Sequence, residues 1–204
     1  MQLIGMLDSP YVRRVAISLR LLNLSFEHKP LSVFSTFDAF AAINPVVKAP
    51  TLVTGDGVVL MDSTLILEHA ERLAAPGRSL SPTDIHDHAK AQRVIGLALA
   101  ACEKAVQIVY ENNLRPAEKR HQPWLDRVAG QLAAALRLLE AEVAGAEPWL
   151  FGDRPLQADV TAAVAARFVR EMLPDSIAAE RHPALTALSA RAEATDAFRA
   201  CPFA

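Results

Sequence analysis

The stretch NPVVKAPTLVTGDGVVLMDSTLILEHAERL, Asn44 to Leu73, reads as two short strands followed at once by a helix. PTLV (Pro50 to Val53) and VVLM (Val58 to Met61) carry residues suited to a pleated surface. Thr54-Gly55-Asp56-Gly57 lies between them, and its glycines tolerate positive φ, so the spacing predicts an antiparallel hairpin. A helical apolar pattern then runs from Ser63 to about Ala74, with Asp62-Ser63 at its start. Taken alone, that dipeptide is an ordinary helix cap.

Working upstream, QLIGM (Gln2 to Met6) and LSFEH (Leu24 to His28) read as two further strands. Between them Val12, Val15, Ala16, Leu19 and Leu22 recur at helical spacing, with Arg13, Arg14, Ser18 and Arg20 expected on the opposite face. Arg13-Arg14 is expected to be a solvated helix face or a dimer rim. Ser9 stands where an N-cap would be. Its oxygen can receive a first-turn N–H, while Pro10 fits the next position without sacrificing an intrahelical bond.

Downstream, AAPGRSLSPTD (Ala74 to Asp84) interrupts both helical and strand periodicity and suits a linker. The expected division is a strand-and-helix domain at 1–75, a linker at 76–84 and a helical domain at 85–204. Leu125, Val128, Leu132, Leu136, Leu139 and Val143 mark one apolar face of a long helix. Four or more alanine-rich helices are expected, broken at Pro116, Pro123, Pro148, Pro174 and Pro183.

Composition narrows the function classes. With 51% hydrophobic and 22% charged residues, the 204-residue chain can bury one large core or two modest ones. A net charge of -2 and the absence of a basic run interleaved with aromatics argue against nucleic acid as a partner. No apolar run approaches the roughly 20 residues that span a bilayer, and the N-terminus lacks signal-peptide features, so a soluble cytoplasmic protein is expected. Cys102 and Cys201 form no paired motif, and no histidine spacing suits a metal, so neither a disulfide framework nor a metal site is expected. Solvated positions are expected for His86 and His88, and a packing role for Cys102.

DSPYVRRV (Asp8 to Val15), NPVVKAPTLV and VLMDSTLILEHAERL together resemble the N-terminal thioredoxin-like domain of the cytosolic glutathione transferases. PWLFGDRPLQADVTAAVA, in the helical half, resembles the segment leading into the buried helix of that family's C-terminal domain. The fold the resemblance implies is an α/β thioredoxin-like domain followed by an all-α domain. There Leu156 departs from the family's Ser or Thr cap, which puts one of two capping bonds in doubt. Asp159 is expected to interact with first-turn N–H groups, as a folding determinant with no catalytic duty.

The resemblance also implies glutathione as co-substrate, no metal, and a homodimer. A site for this tripeptide must meet two carboxylates, an ammonium and a thiol. Asp62 suits the ammonium of the γ-glutamyl group, and Ser63, at a helix N-terminus, suits its carboxylate. Lys48 offers charge to the glycyl carboxylate. In the family a cis peptide precedes the proline at Pro50, and Ala49 would then present its backbone to the cysteinyl part as an added strand would. Ser9 would donate its hydroxyl to the glutathione sulfur and favour thiolate. Pro10, Tyr11, Tyr110 and Asn113 are the expected second-substrate residues, with Arg115 and Trp124 near the last two.

The activity implied is transfer of glutathione to a small electrophilic apolar substrate held between the domains. The same thiolate could serve isomerisation, dehalogenation or peroxide reduction, and the fold could also be a non-catalytic binding module. No cysteine stands at position 9, so mixed-disulfide chemistry loses weight. The serine-serine-cysteine start of the maleylacetoacetate isomerase branch is absent too.

Overall fold

The computed structural model describes residues 1–204. The chain forms two compact units, Met1–Leu80 with Ala194–Ala204, and Ser81–Glu193. The final eleven residues therefore belong with the first unit, although continuous helical composition had grouped them with the helical domain. The first unit also runs to Leu80 rather than residue 75, because the Leu80 N–H donates to Glu71 and its side chain is fully buried.

In the first unit, β1 (Gln2–Ile4), β2 (Glu27–Lys29), β3 (Thr51–Val53) and β4 (Val59–Met61) form one sheet in the order β2-β1-β3-β4. β1 and β2 are parallel, and the other pairs are antiparallel. α1 (Pro10–Leu21) makes the crossover from β1 to β2, α2 (Phe37–Ala41) precedes β3, and α3 (Ser63–Leu73) follows β4. Leu3, Ile4 and Leu52 of the sheet are buried with Val12, Val15 and Leu19 of α1 and Ile66 and Ala70 of α3. This is the thioredoxin-like arrangement expected.

Two differences from the sequence expectation have local causes. β2 begins at Glu27 and not Leu24 because Asn23, at φ 58°, ends α1 in a left-handed cap: Asn23 N–H bonds to Arg20 C=O and Leu24 N–H to Leu19 C=O. α2 was not anticipated; only Phe40 of its five residues is buried, so no apolar period marks it.

Arg13 and Arg14 correct the expectation of a solvated face. They are 1% and 2% exposed, and Ser18 is fully buried. Helical period alone cannot tell a polar residue facing water from one facing a polar partner. Arg13 Nε donates to the Cys201 carbonyl at 2.8 Å, and its guanidinium lies 5.6 Å from the Phe198 ring. Phe198 sits in α8 (Asp196–Arg199), so the returning C-terminal segment covers α1. Arg20 Nε donates to Cys201 Sγ at 3.2 Å, while burial pushes that thiol above its usual pKa.

The second unit holds α4 (Ile85–Leu114), α5 (Gln122–Val143), α6 (Gln157–Met172) and α7 (Pro183–Glu193), with two short 3-10 turns at Ala117–Lys119 and Pro174–Ser176. α4 packs on α5 and α6, and α7 on α6 and α5. α6 is buried almost all round, from Ala158 to Ala166 without interruption. The helices are divided where the prolines stand: Pro116 and Pro148 lie between helices, while Pro123, Pro174 and Pro183 open the helical turns that follow each break, since a missing N–H costs nothing in a first turn. Asp159 is fully buried and receives the Leu150 and Leu156 N–H groups, each at 2.9 Å; these lie before the helix, not in its first turn. Leu156 has no side-chain acceptor, so only the carboxylate half of a capping box is made. His88 is half-buried and bonded to Ser81 Oγ at 2.9 Å, unlike the exposed His86. No helix is long and apolar enough to cross a membrane.

Candidate functional site

The register of the sheet decides which loops meet. Ile4 of β1 is opposite Thr51 of β3, and Thr51 is opposite Met61 of β4. The residues just beyond these three positions therefore leave the sheet at the same end. They are the turn into α1 with Ser9, the Ala49-Pro50 entry to β3, and Asp62-Ser63 at the start of α3. Three segments far apart in the chain thus converge at one sheet end.

Ser9 is the N-cap of α1, its Oγ receiving the Val12 N–H at a long 3.4 Å. Pro10 follows at the first helical position and is buried, and Tyr11 is half-buried. Asp8, next before Ser9, has its carboxyl raised above the usual pKa by burial, with its own N–H and that of Ser9 opposing. The Ala49-Pro50 peptide is cis. Lys48 is exposed, and its C=O receives Thr51 Oγ1 at 2.8 Å.

Asp62 is an exposed non-glycine residue at φ 71°, with its Oδ1 receiving the Thr64 N–H at 2.9 Å. Ser63 opens α3 and is 5% exposed. The α3 N-terminus concentrates backbone N–H groups and positive dipole beside an acidic side chain, a pairing suited to a zwitterionic amino-acid head group.

Three supporting residues were missed from sequence. Arg14 Nη1 donates to Ser63 Oγ at 3.0 Å and to Thr64 Oγ1 at 3.4 Å, joining α1 to the start of α3. Asn44, 4% exposed, donates to Thr51 Oγ1 at 2.8 Å and receives the Val46 N–H at 3.0 Å, which braces the loop carrying Lys48 and Ala49. Gly5 has φ 137°, and a Cβ there would come 2.5 Å from Val12 Cγ2 and 3.3 Å from Ala49 Cβ. Glycine lets the first turn approach the β3 entry. A sequence signal existed only for Gly5, a glycine closing a strand pattern.

In the second unit, Tyr110 lines a groove of about 490 Å³ with Glu111, Leu114, Arg115, Lys119 and Trp124 among its walls. Asn113 is exposed on the same helix and is not one of those walls. Arg115 Nε pairs with Glu111 Oε1 at 2.8 Å, which holds the Glu111 carboxyl below its usual pKa. No cluster of three or more His, Cys, Asp or Glu side chains able to hold a metal occurs.

Comparison with known proteins agrees with this architecture. The family model for the glutathione S-transferase N-terminal domain matches residues 3–78, and that for the C-terminal domain matches residues 122–191. The chain is 29% identical over 141 residues to the uncharacterized GST-like protein YibF of Escherichia coli K12, covering 69% of this chain and 68% of the relative. It is 28% identical over 155 residues to maleylacetoacetate isomerase of Pseudomonas aeruginosa, covering 72% and 71% respectively. Among solved structures, a glutathione S-transferase of Methylobacterium radiotolerans in complex with glutathione sulfonate superposes with a TM-score of 0.89. Its identity is 29%, with 100% of this chain and 95% of that one covered.

Proposed function

The chain belongs to the glutathione S-transferase family, and from that premise we propose that it binds glutathione at the Ser9, Ala49-Pro50 and Asp62-Ser63 end of its first unit. There it activates the thiolate for attack on a small electrophilic apolar substrate. The observation that carries the reading is the sheet register, which aligns Ile4, Thr51 and Met61 and so brings a hydroxyl, a cis-proline edge and an acid-serine helix start together. Each part suits one part of the tripeptide. Asp62 pairs with the ammonium, and Ser63 with the first N–H groups of α3 receives the γ-glutamyl carboxylate. Ala49 pairs its main chain with the cysteinyl residue, and Lys48 faces the glycyl carboxylate.

The chemistry asked of the protein is modest. Ser9 donates its hydroxyl to the sulfur, and the N-terminus of α1 adds positive dipole, both favouring thiolate over thiol. Each unit by which the thiol pKa falls corresponds to about 1.4 kcal/mol of preferential thiolate stabilisation. A sulfur lone pair then forms the new carbon–sulfur bond while the leaving group departs with its electron pair. No proton passes to Ser9. Pro10 and Tyr11 are the proposed second-substrate contacts of the first unit. In the helical unit the corresponding proposal is the groove holding Tyr110, with Asn113 at most on its margin. Reduced glutathione as co-substrate suits a cytoplasmic enzyme, and the family supports a homodimer.

Retention on immobilised glutathione followed by conjugation to an aryl halide tests the reading. Retention with conjugation supports it; no retention removes it.

A second reading, glutathione-dependent isomerisation, is favoured by the likeness to the Pseudomonas aeruginosa isomerase. Against it, the serine-serine-cysteine start of that branch is absent from this sequence. Turnover of a cis-enone with regeneration of free glutathione, and no conjugation, would favour the isomerase.

A further inference from the structure

Burying a guanidinium is costly unless fixed polar groups receive it. At Arg14, 2% exposed, two of the receiving groups are the hydroxyls that open α3: Ser63 Oγ at 3.0 Å and Thr64 Oγ1 at 3.4 Å. A serine hydroxyl has one hydrogen and two lone pairs. With a lone pair turned toward Arg14, the Ser63 hydrogen cannot point back along that bond and must donate elsewhere. The same contact sets a full positive charge one hydroxyl away from a helix N-terminus that already carries partial positive charge.

We propose that Arg14 is a positioning residue for glutathione, acting through Ser63: it orients the Ser63 hydroxyl as a donor and strengthens the positive field that receives the γ-glutamyl carboxylate. The proposal rests on the reading of Ser63 as the receiver of that carboxylate. It assigns Arg14 a selectivity role, since a ligand without this carboxylate gains nothing from the orientation or the field.

Arg14→Met keeps an unbranched apolar stem and deletes the charge and donors, and Arg14→Lys keeps the charge but not the fork. Both are compared with wild type and Ser63→Ala, using glutathione and the analogue lacking only the γ-glutamyl α-carboxylate, 4-aminobutyryl-cysteinyl-glycine. For Arg14→Met, Kd by calorimetry and KM for glutathione rise about tenfold, as loss of a charge-assisted interaction requires. Its kcat at saturating glutathione and its Kd for the analogue stay within about twofold of wild type. Arg14→Lys shows about a threefold loss for glutathione and none for the analogue, and it carries the test if Arg14→Met does not fold. In the Ser63→Ala background, Arg14→Met costs less than in wild type, because the two act as one unit.

Equal losses for both ligands, or a fall in kcat alone, would make Arg14 merely structural and overturn the proposal. If Ser63→Ala discriminates between the ligands while the Arg14 variants do not, Arg14 fails and the Ser63 reading stands. If Ser63→Ala does not discriminate, the Ser63 reading fails and the proposal falls with it.

Discussion

At Asp62 one carboxylate does two things that chemistry can separate: its Oδ1 receives the Thr64 N–H at 2.9 Å, and its charge is proposed to meet the glutathione ammonium. Asparagine caps a helix as well as aspartate and tolerates the positive φ found there. Asp62→Asn is therefore expected to leave folding stability within about 0.5 kcal/mol while weakening glutathione binding by about 1.5–3 kcal/mol. Urea unfolding and calorimetry check the two halves, and unchanged binding would remove Asp62 from the site. At Ser9 the cap bond is long, 3.4 Å, so its contribution to stability falls at the low end, about 0.5 kcal/mol. Ser9→Asn should keep the fold yet raise the pKa of bound glutathione toward that of the free thiol. Turnover near neutral pH then falls and partly returns at higher pH; thiolate absorbance against pH reads this directly. Ser9, Ala49-Pro50 and Asp62-Ser63 were legible because each stands at a local start signal. Arg14 was not, because its partner lies 49 residues away and no local pattern records it.

Among the elements, α1, α3, the β3–β4 hairpin and α5 follow from periodicity and turn chemistry, each being long, amphipathic or flanked by glycine. The start of β2 and the existence of α2 do not, since one is set by the left-handed cap at Asn23 and the other buries a single side chain. α6 depends on a carboxylate rather than on propensity. Asp159 receives the N–H groups of Leu150 and Leu156 in a fully buried place, and Asp159→Ala leaves both without that acceptor. A loss of about 2–5 kcal/mol in urea unfolding is expected. Burial also raises the Asp159 carboxyl above its usual 3.8 despite those two bonds. The native state thus holds a proton that the unfolded chain has already released between the unfolded and folded pKa values. Stability from this group is full below the unfolded value and is lost as pH rises through the folded one. The stability difference between wild type and Asp159→Asn should therefore grow in favour of wild type as pH is lowered through that window. A difference that shrinks on acidification would contradict the raised pKa. α7 is anchored similarly, its Ala184 and Leu185 N–H groups each donating at 2.8 Å to the Glu140 carboxylate of α5.

For the whole molecule, the family supports a two-fold homodimer, and light scattering at micromolar concentration should find twice the chain mass of 22.1 kDa. The first unit itself is closed by its most distant part. Deleting Ala194–Ala204 removes buried Phe198 and the Cys201 carbonyl that receives Arg13, and a loss of at least about 3 kcal/mol is expected in urea unfolding. This join spans 188 positions of the chain, from Arg13 to Cys201. On the ribosome, therefore, α1 emerges well before Phe198 and Cys201 and must wait for them before its apolar and cationic surface is covered. At ordinary elongation rates that wait is roughly 10–40 s, so the strand-and-helix unit, begun before the helical one, is completed after it.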